Sequence, residues 1–222
     1  MIKTIVTHEY IEPKMRLGRF VRHDERSWQF PAPMAAQLVD VMHKRLVPIF
    51  DQGDLGSCTG NAAVGCISTE PFKTTGTEIM AVAVYSEATH LDRYKGIYPP
   101  EDTGSSGIAV MKALKHRGLI SGYTHGFSLK STLKALVLRP GITGITWLTG
   151  CDNPDANGLV HYVGSVRGGP EVELVGLSST AKLVWFANSW GAGWGKNGLF
   201  CMSFDDYAKA LADHGDATFP MQ

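Results

Sequence analysis

Two stretches decide how this chain is read. The first is Gln52-Gly53-Asp54-Leu55-Gly56-Ser57-Cys58; the second is Val184-Trp185-Phe186-Ala187-Asn188-Ser189-Trp190-Gly191-Ala192-Gly193-Trp194-Gly195-Lys196-Asn197-Gly198. A Gly-rich loop ends at Cys58, and a helix-compatible run continues through Ala62, Ala63, Val64, Cys66 and Ile67. A cysteine at a helix N-terminus meets unpaired N–H groups and partial positive charge, which favour thiolate over thiol. Gln52, six positions earlier (58 − 52), can aim its side-chain amide at a developing oxyanion, with the Cys58 N–H as the second donor. The second stretch reads as a strand, a Gly/Trp-rich loop and another strand. Asn188 can orient an imidazole through its side-chain carbonyl, and Trp190 can shield that bond from water.

Together these residues resemble the papain-like (C1 family) cysteine peptidases, in texture nearest to short bacterial and bacteriophage-encoded members. The order Gln, Cys, Asn agrees, and Asn188 follows Cys58 by 130 positions (188 − 58), within the approximate ~130–150 interval of such enzymes. The likeness runs from about Pro48 to Tyr207. It implies an α+β fold of two subdomains with a cleft between them, a helical one carrying Cys58 and a β-rich one carrying Asn188. It also implies roles: Cys58 at the nucleophile position, Gln52 in the oxyanion hole, Asn188 as the group that orients a histidine, Trp190 as its shield. Leu55 stands where secreted relatives have a disulfide-forming cysteine, and Thr59 where many have tryptophan; both fit an intracellular origin. The segment before Gln52 is short for an inhibitory pro-domain, so zymogen control is not expected.

One departure changes the functional reading. In papain-like enzymes the catalytic histidine opens a strand shortly before the asparagine loop. The matching stretch here is Gly168-Gly169-Pro170-Glu171-Val172-Glu173-Leu174-Val175-Gly176, which puts Pro170 at the histidine's place. Proline can neither give nor take a proton. Thiol catalysis needs a base for the nucleophile and an acid for the leaving amine. Removing the base of a related triad costs on the order of 10⁶ in turnover, about 8 kcal/mol. A helix dipole contributes roughly 0.3–1 kcal/mol at an exposed site and does not substitute. Of the eight histidines, His161 is the alternative base. If Arg167-Gly168-Gly169 closes a hairpin, His161 lies ~17 Å from Pro170 at ~3.3 Å per residue; an irregular loop would be needed to bring it back. His125, in a Gly-rich stretch, is a weaker candidate.

The rest of the chain supplies the frame. Residues 1–47 read as an N-terminal arm with a mixed-charge stretch from Arg16 to Arg26, and 48–222 as the papain-like domain. About 48–138 forms the helical subdomain and 139–222 the β-rich one. Helices are expected over Ile79 to Asp92, Ile108 to Arg117 and Ser128 to Leu138. Strands are expected over Gly144 to Leu148, Leu159 to Val166, Val172 to Val175, Leu183 to Ala187 and Leu199 to Ser203. Glu171 and Glu173 read as a solvated strand face, and Asp102 to Gly107 as a helix cap or a loop beside the cleft.

Composition narrows the partners. The 222 residues carry 21 Lys plus Arg and 21 Asp plus Glu, a formal net charge of zero, so no basic field draws in nucleic acid or an acidic membrane. No apolar run reaches the ~18 residues of a membrane span. Met1 to Pro13 carries His8, Glu9 and Glu12 and does not read as an export signal, which points to cytoplasmic synthesis, with incorporation in a phage particle as a further expectation. Four scattered cysteines offer neither a disulfide framework nor a zinc clip, and no cofactor or metal is expected. The expected function is that of a papain-like homologue that has lost its base: a non-catalytic binding or structural protein, a component of a virion or assembly, with a protein or peptide partner. The alternative is an active thiol peptidase or amide hydrolase using Cys58, a displaced His161 and Asn188. A peptidoglycan-type Cys-His hydrolase of another fold is disfavoured by the Asn-Ser-Trp-Gly segment.

Overall fold

A computed structural model of the chain describes residues 17–21 and 24–222. The reading of Met1 to Pro13, and Arg16, Arg22 and His23 of the charged stretch, lie outside these residues. A short strand β1 (Val41–Met42) precedes three helices: α1 (Cys58–Ile67), α2 (Glu78–Leu91) and α3 (Gly107–His116). All ten residues of α1 are buried, as expected for a helix whose sequence is apolar or small all round. Gly60 lets α2 close on it, because a Cβ there would strike the Ala81 carbonyl and the Tyr85 side chain. The neighbouring helices are capped by local chemistry. The Thr77 hydroxyl accepts from Met80 N at 3.2 Å, and the Ser106 hydroxyl from Ala109 N at 3.4 Å. Gly118, at φ 69°, lies just beyond α3.

The chain then enters an antiparallel sheet through β2 (Gly122–His125), α4 (Leu129–Leu138), β3 (Gly141–Gly144), β4 (Trp147–Leu148), β5 (Val166–Gly168), β6 (Glu171–Ser178), β7 (Leu183–Ala187), β8 (Leu199–Ser203), α5 (Phe204–Ala212) and β9 (Asp216–Met221). The strand order is β2-β9-β3-β6-β7-β8, β1 adds to β6, and β4 pairs with β5 apart from this sheet. Strand β6 is the hinge of the architecture: residues 171–177 are buried, with α1 against the strand on one side and α4 on the other. Alternation sends Val172 and Leu174 into the core of the β-rich half, while Glu171 and Glu173 face the helices. A second core gathers Ala63, Val64, Ile67, Val84, Met111 and Leu114 among α1, α2 and α3. Among the described residues no helix is long and apolar enough to cross a membrane.

The expected α+β order holds, with helices first and strands later. The expected helices appear with ends within about a residue, and β7 and β8 where anticipated. Three differences have physical causes. Arg167 to Gly169 does not close a hairpin, because β5 pairs with β4 and the chain enters β6 through Gly168 at φ 155°. Leu159 to Val166 is mostly irregular: Leu159 bridges to Cys201, the Val163 and Ser165 carbonyls accept from Gly150 N and Thr149 N, and only Val166 joins a strand, β5. And α4 buries Leu133, Ala135 and Leu136 in the β-rich core, so the packing divides near β2 rather than at residue 138. The arm is likewise built in: β1 pairs with β6, and Leu17 and Ala32 are core residues.

Candidate active site

Cys58 opens α1 and is 1% exposed. Around its sulfur lie the Glu171, Gly18 and Thr59 backbones and the Glu171 carboxylate. Burial pushes the thiol up to about 11; the backbone donors pull the other way and the Glu171 charge reinforces the rise. The thiolate expected from the helix N-terminus is therefore not favoured here: desolvation outweighs the dipole. The wall beside Cys58 is built from a relay of hydrogen bonds. Tyr85 Oη donates to Asp102 Oδ1 at 2.6 Å and accepts from Gly104 N at 2.9 Å, while Gly56 N donates to Asp102 Oδ2 at 2.9 Å.

The two motif loops meet across this wall. Gln52 N donates to Ser189 O at 2.9 Å, and Ser189 Oγ donates to Gln52 Oε1 at 2.6 Å. Gln52 Nε2 donates to Leu55 O at 2.8 Å, so part of the amide expected at the oxyanion is spent inside its own loop. Asn188 is buried; its Oδ1 accepts from Ser189 N at 2.8 Å, and its Nδ2 has no hydrogen-bond partner. Trp190 lies edge-on to Trp147 and Trp194, with centroids 5.2 and 4.9 Å away. Pro170 is buried immediately before β6, and its carbonyl accepts from Ile145 N at 3.2 Å. Between Glu171 and Asn188 there is a cavity of about 10 Å³, lined also by Arg45, Asn61 and Ala62. That is room for one water at most, not for an imidazole.

None of the six described histidines lies against Cys58. His161 is well exposed, with Nδ1 4.0 Å from Asp206 Oδ2 on α5, so the irregular segment does not return it to the cleft. His125 is buried on β2 against Thr218. His43 bonds the Leu136 carbonyl, and His116 pairs with Glu87. Among the described residues no group of three or more His, Cys, Asp or Glu could hold a metal ion, and the four cysteines are free and buried.

What fills the cleft is the chain's own arm. Phe20 N donates to Ser105 O at 2.7 Å and Ser105 N to Gly18 O at 2.9 Å, a parallel pairing on one wall. Arg19 N donates to Gly169 O at 3.0 Å on the other. Gly18 lies so close to Gly56 and Gly104 that a Cβ at 18 or 104 would strike backbone. Phe20 stacks on Tyr94 at 4.0 Å, and Leu17 lies against Gly168. The short arm thus covers the nucleophile position.

Arg19 carries the arm's charge inward. Its guanidinium is fully buried, with Nη2 2.5 Å from Asp216 Oδ2 and Nε 3.4 Å from Glu171 Oε2. Burial alone would lower the guanidinium's pKa; Asp216 and Glu171 together raise it, keeping Arg19 charged. Burial, with Asp216 beside it, holds the Glu171 carboxyl well above its ordinary range, against the pull of Arg19. Glu173 is buried too, in an ion pair with Arg45 and accepting from Thr69 Oγ1 at 2.6 Å. The solvated face expected for the two glutamates is thus an interior one. The signal available in the sequence was that Arg19 and Arg45, upstream of the helices, supply charges that match the two glutamates.

No protein-family model matches the sequence, and a search of curated proteins found no similar one. Solved structures do match. Xylellain, a cysteine protease from Xylella fastidiosa, superposes with a TM-score of 0.70 at 15% identity, covering 96% of this chain and 99% of that one. Digestive procathepsin L 3 of Tenebrio molitor larval midgut gives 0.56 at 14% identity, over 86% of this chain and 73% of that one. A recombinant stem bromelain precursor gives 0.54 at 15% identity, over 90% and 74%. At these identities the likeness speaks for architecture: the chain has the two-part α+β fold of the papain-like cysteine proteases.

Proposed function

We propose that this chain is a peptide-binding protein built on the papain-like fold, keeping a thiol at the nucleophile position without the proton relay that hydrolysis requires. The reading is carried by one observation: the groups around the buried Cys58 sulfur come from Gly18, Thr59 and, at the start of β6, Glu171, which Pro170 precedes in the chain, and no described imidazole is among them. A thiol pushed up to about 11 is neutral near pH 7 and a poor nucleophile. Asn188 supports the same reading, since its Oδ1 is turned to its own neighbour and its Nδ2 serves nothing. The cleft keeps strand-like donors and acceptors at Ser105 and Gly169, which suit an extended chain. Its partner is a protein or peptide segment that takes the arm's place, within a larger assembly such as a phage particle.

The test is hydrolysis of a mixed peptide library by the purified full chain, read by mass spectrometry beside Cys58→Ala. No cleavage by the wild type is expected, and Pro170→His is expected to raise hydrolysis above background, by orders of magnitude if the arm clears the cleft. Cleavage that disappears in Cys58→Ala would overturn the reading. If it also disappears in His161→Ala, the chain is a peptidase with a displaced base.

A further inference from the structure

We propose that the pocket holding Arg19 is an arginine-recognition site, so that the segment replacing the arm is one that presents a guanidinium. This rests on the peptide-binding reading and adds its selectivity. The pocket is built for a flat cation. Asp216 Oδ2 lies 2.5 Å from Nη2, the His214 carbonyl 3.1 Å from the same nitrogen, and Glu171 Oε2 3.4 Å from Nε. These acceptors come from β6, β9 and the turn before β9, and they address two edges of one planar group. A lysine ammonium is a single point and reaches one of them well. Gly144 forms the slot's wall, because a Cβ there would occupy the place of the Arg19 guanidinium.

The site is also not saturated by its present occupant. Both Glu171 oxygens are buried and accept no hydrogen bond, and Arg19 Nε and Nη1 donate none. Glu171 is fully buried and lies 3.4 Å from the guanidinium, yet no hydrogen bond joins them. A partner's arginine that closes this gap gains charge-assisted hydrogen bonds the arm does not make. Emptying the pocket would leave the fully buried Glu171 carboxyl without its cation, so the arm leaves by exchange for another cation rather than by simple opening. The remaining cleft bonds, to Ser105 and Gly169, use main-chain groups that most peptides possess. Among the polar contacts, selectivity therefore falls on this one side chain, beside the apolar seats of Leu17 and Phe20.

The experiment uses the full chain with Arg19→Ala and three probe peptides copied from the arm: acetyl-Gly-Arg-Phe-amide and its lysine and citrulline counterparts. Calorimetric affinity, the shift in unfolding temperature and protection of Cys58 from alkylation are read for each. The arginine peptide is expected to bind at least about ten-fold more tightly than either counterpart, and ethylguanidinium alone to recover part of the lost stability. Equal binding of the three, or no binding to a folded variant, would overturn the proposal. Should Arg19→Ala not fold, Arg19→Lys keeps a cation. There the arginine peptide must raise the unfolding temperature more than the lysine peptide does, and equal shifts overturn it. Cleavage of a probe would overturn the non-catalytic reading while leaving the arginine preference intact.

Discussion

A single sulfur shows how environment outranks position. The first residue of a buried helix is where a thiolate gains from the dipole, but that gain is roughly 1 kcal/mol and falls away against full desolvation beside a carboxylate. Burial raises the Cys58 thiol to about 11. Its folded-state value lies above that of a free thiol, so the neutral form persists through neutral pH and the thiolate emerges only in alkali. Iodoacetamide labelling of Cys58 is expected to be slow at pH 7 and to rise steadily beyond pH 9. A rate already level below pH 7 would reveal an ion pair. Gly144 makes the complementary point, for its missing side chain is the space the Arg19 guanidinium occupies. Gly144→Ala is expected to cost about 1–3 kcal/mol by overpacking and to speed Cys58 labelling at pH 8 by expelling the arm. Unchanged labelling would show that Arg19 does not anchor the cover.

Among the elements, β6 joins the halves. Its helix-facing side carries Glu171 and Glu173, each matched by an arginine from the first fifty residues. Arg45→Met is expected to destabilise by roughly 3–5 kcal/mol, because Glu173 remains as an unpaired buried charge; Arg45→Met with Glu173→Leu should recover most of it. Burial already raises the Glu173 carboxyl, and losing Arg45 raises it further. A carboxyl whose folded value is raised favours the folded state below its unfolded value and penalises it as pH rises through the folded one. The Arg45→Met deficit should therefore shrink between pH 7 and about pH 4.5 in urea titrations. The late elements depend on more local chemistry. Ser203 Oγ accepts from Asp206 N at 3.0 Å to begin α5, with Asp205 and Asp206 in the first turn. Ser203→Ala is expected to cost about 1 kcal/mol, some 2–4 °C in unfolding temperature.

At the scale of the whole molecule the arm completes the protein, supplying a strand to β6, two core residues and the occupant of the cleft. Helix α1, its companions and strands β7 and β8 were legible because apolar period, caps and glycines act over a few neighbours. Helix α5 also had a local signal, the Ser203 cap and two following aspartates, that the strand-dominated reading passed over. Strand β9 was harder, since Pro220 argues against a central strand; it is tolerated because β3 pairs only with residues 216–218, leaving Pro220 beside β2 alone. The order of Gln52, Cys58 and Asn188 and the proline at 170 are matters of covalent order, and the α+β architecture with its candidate site follows from them without coordinates. Which way Glu171 and Glu173 face, where His161 ends up, and that Arg19 is buried against Asp216 depend on contacts between residues up to about two hundred positions apart. Those are set by burial and charge pairing in three dimensions, and only the folded chain brings them together.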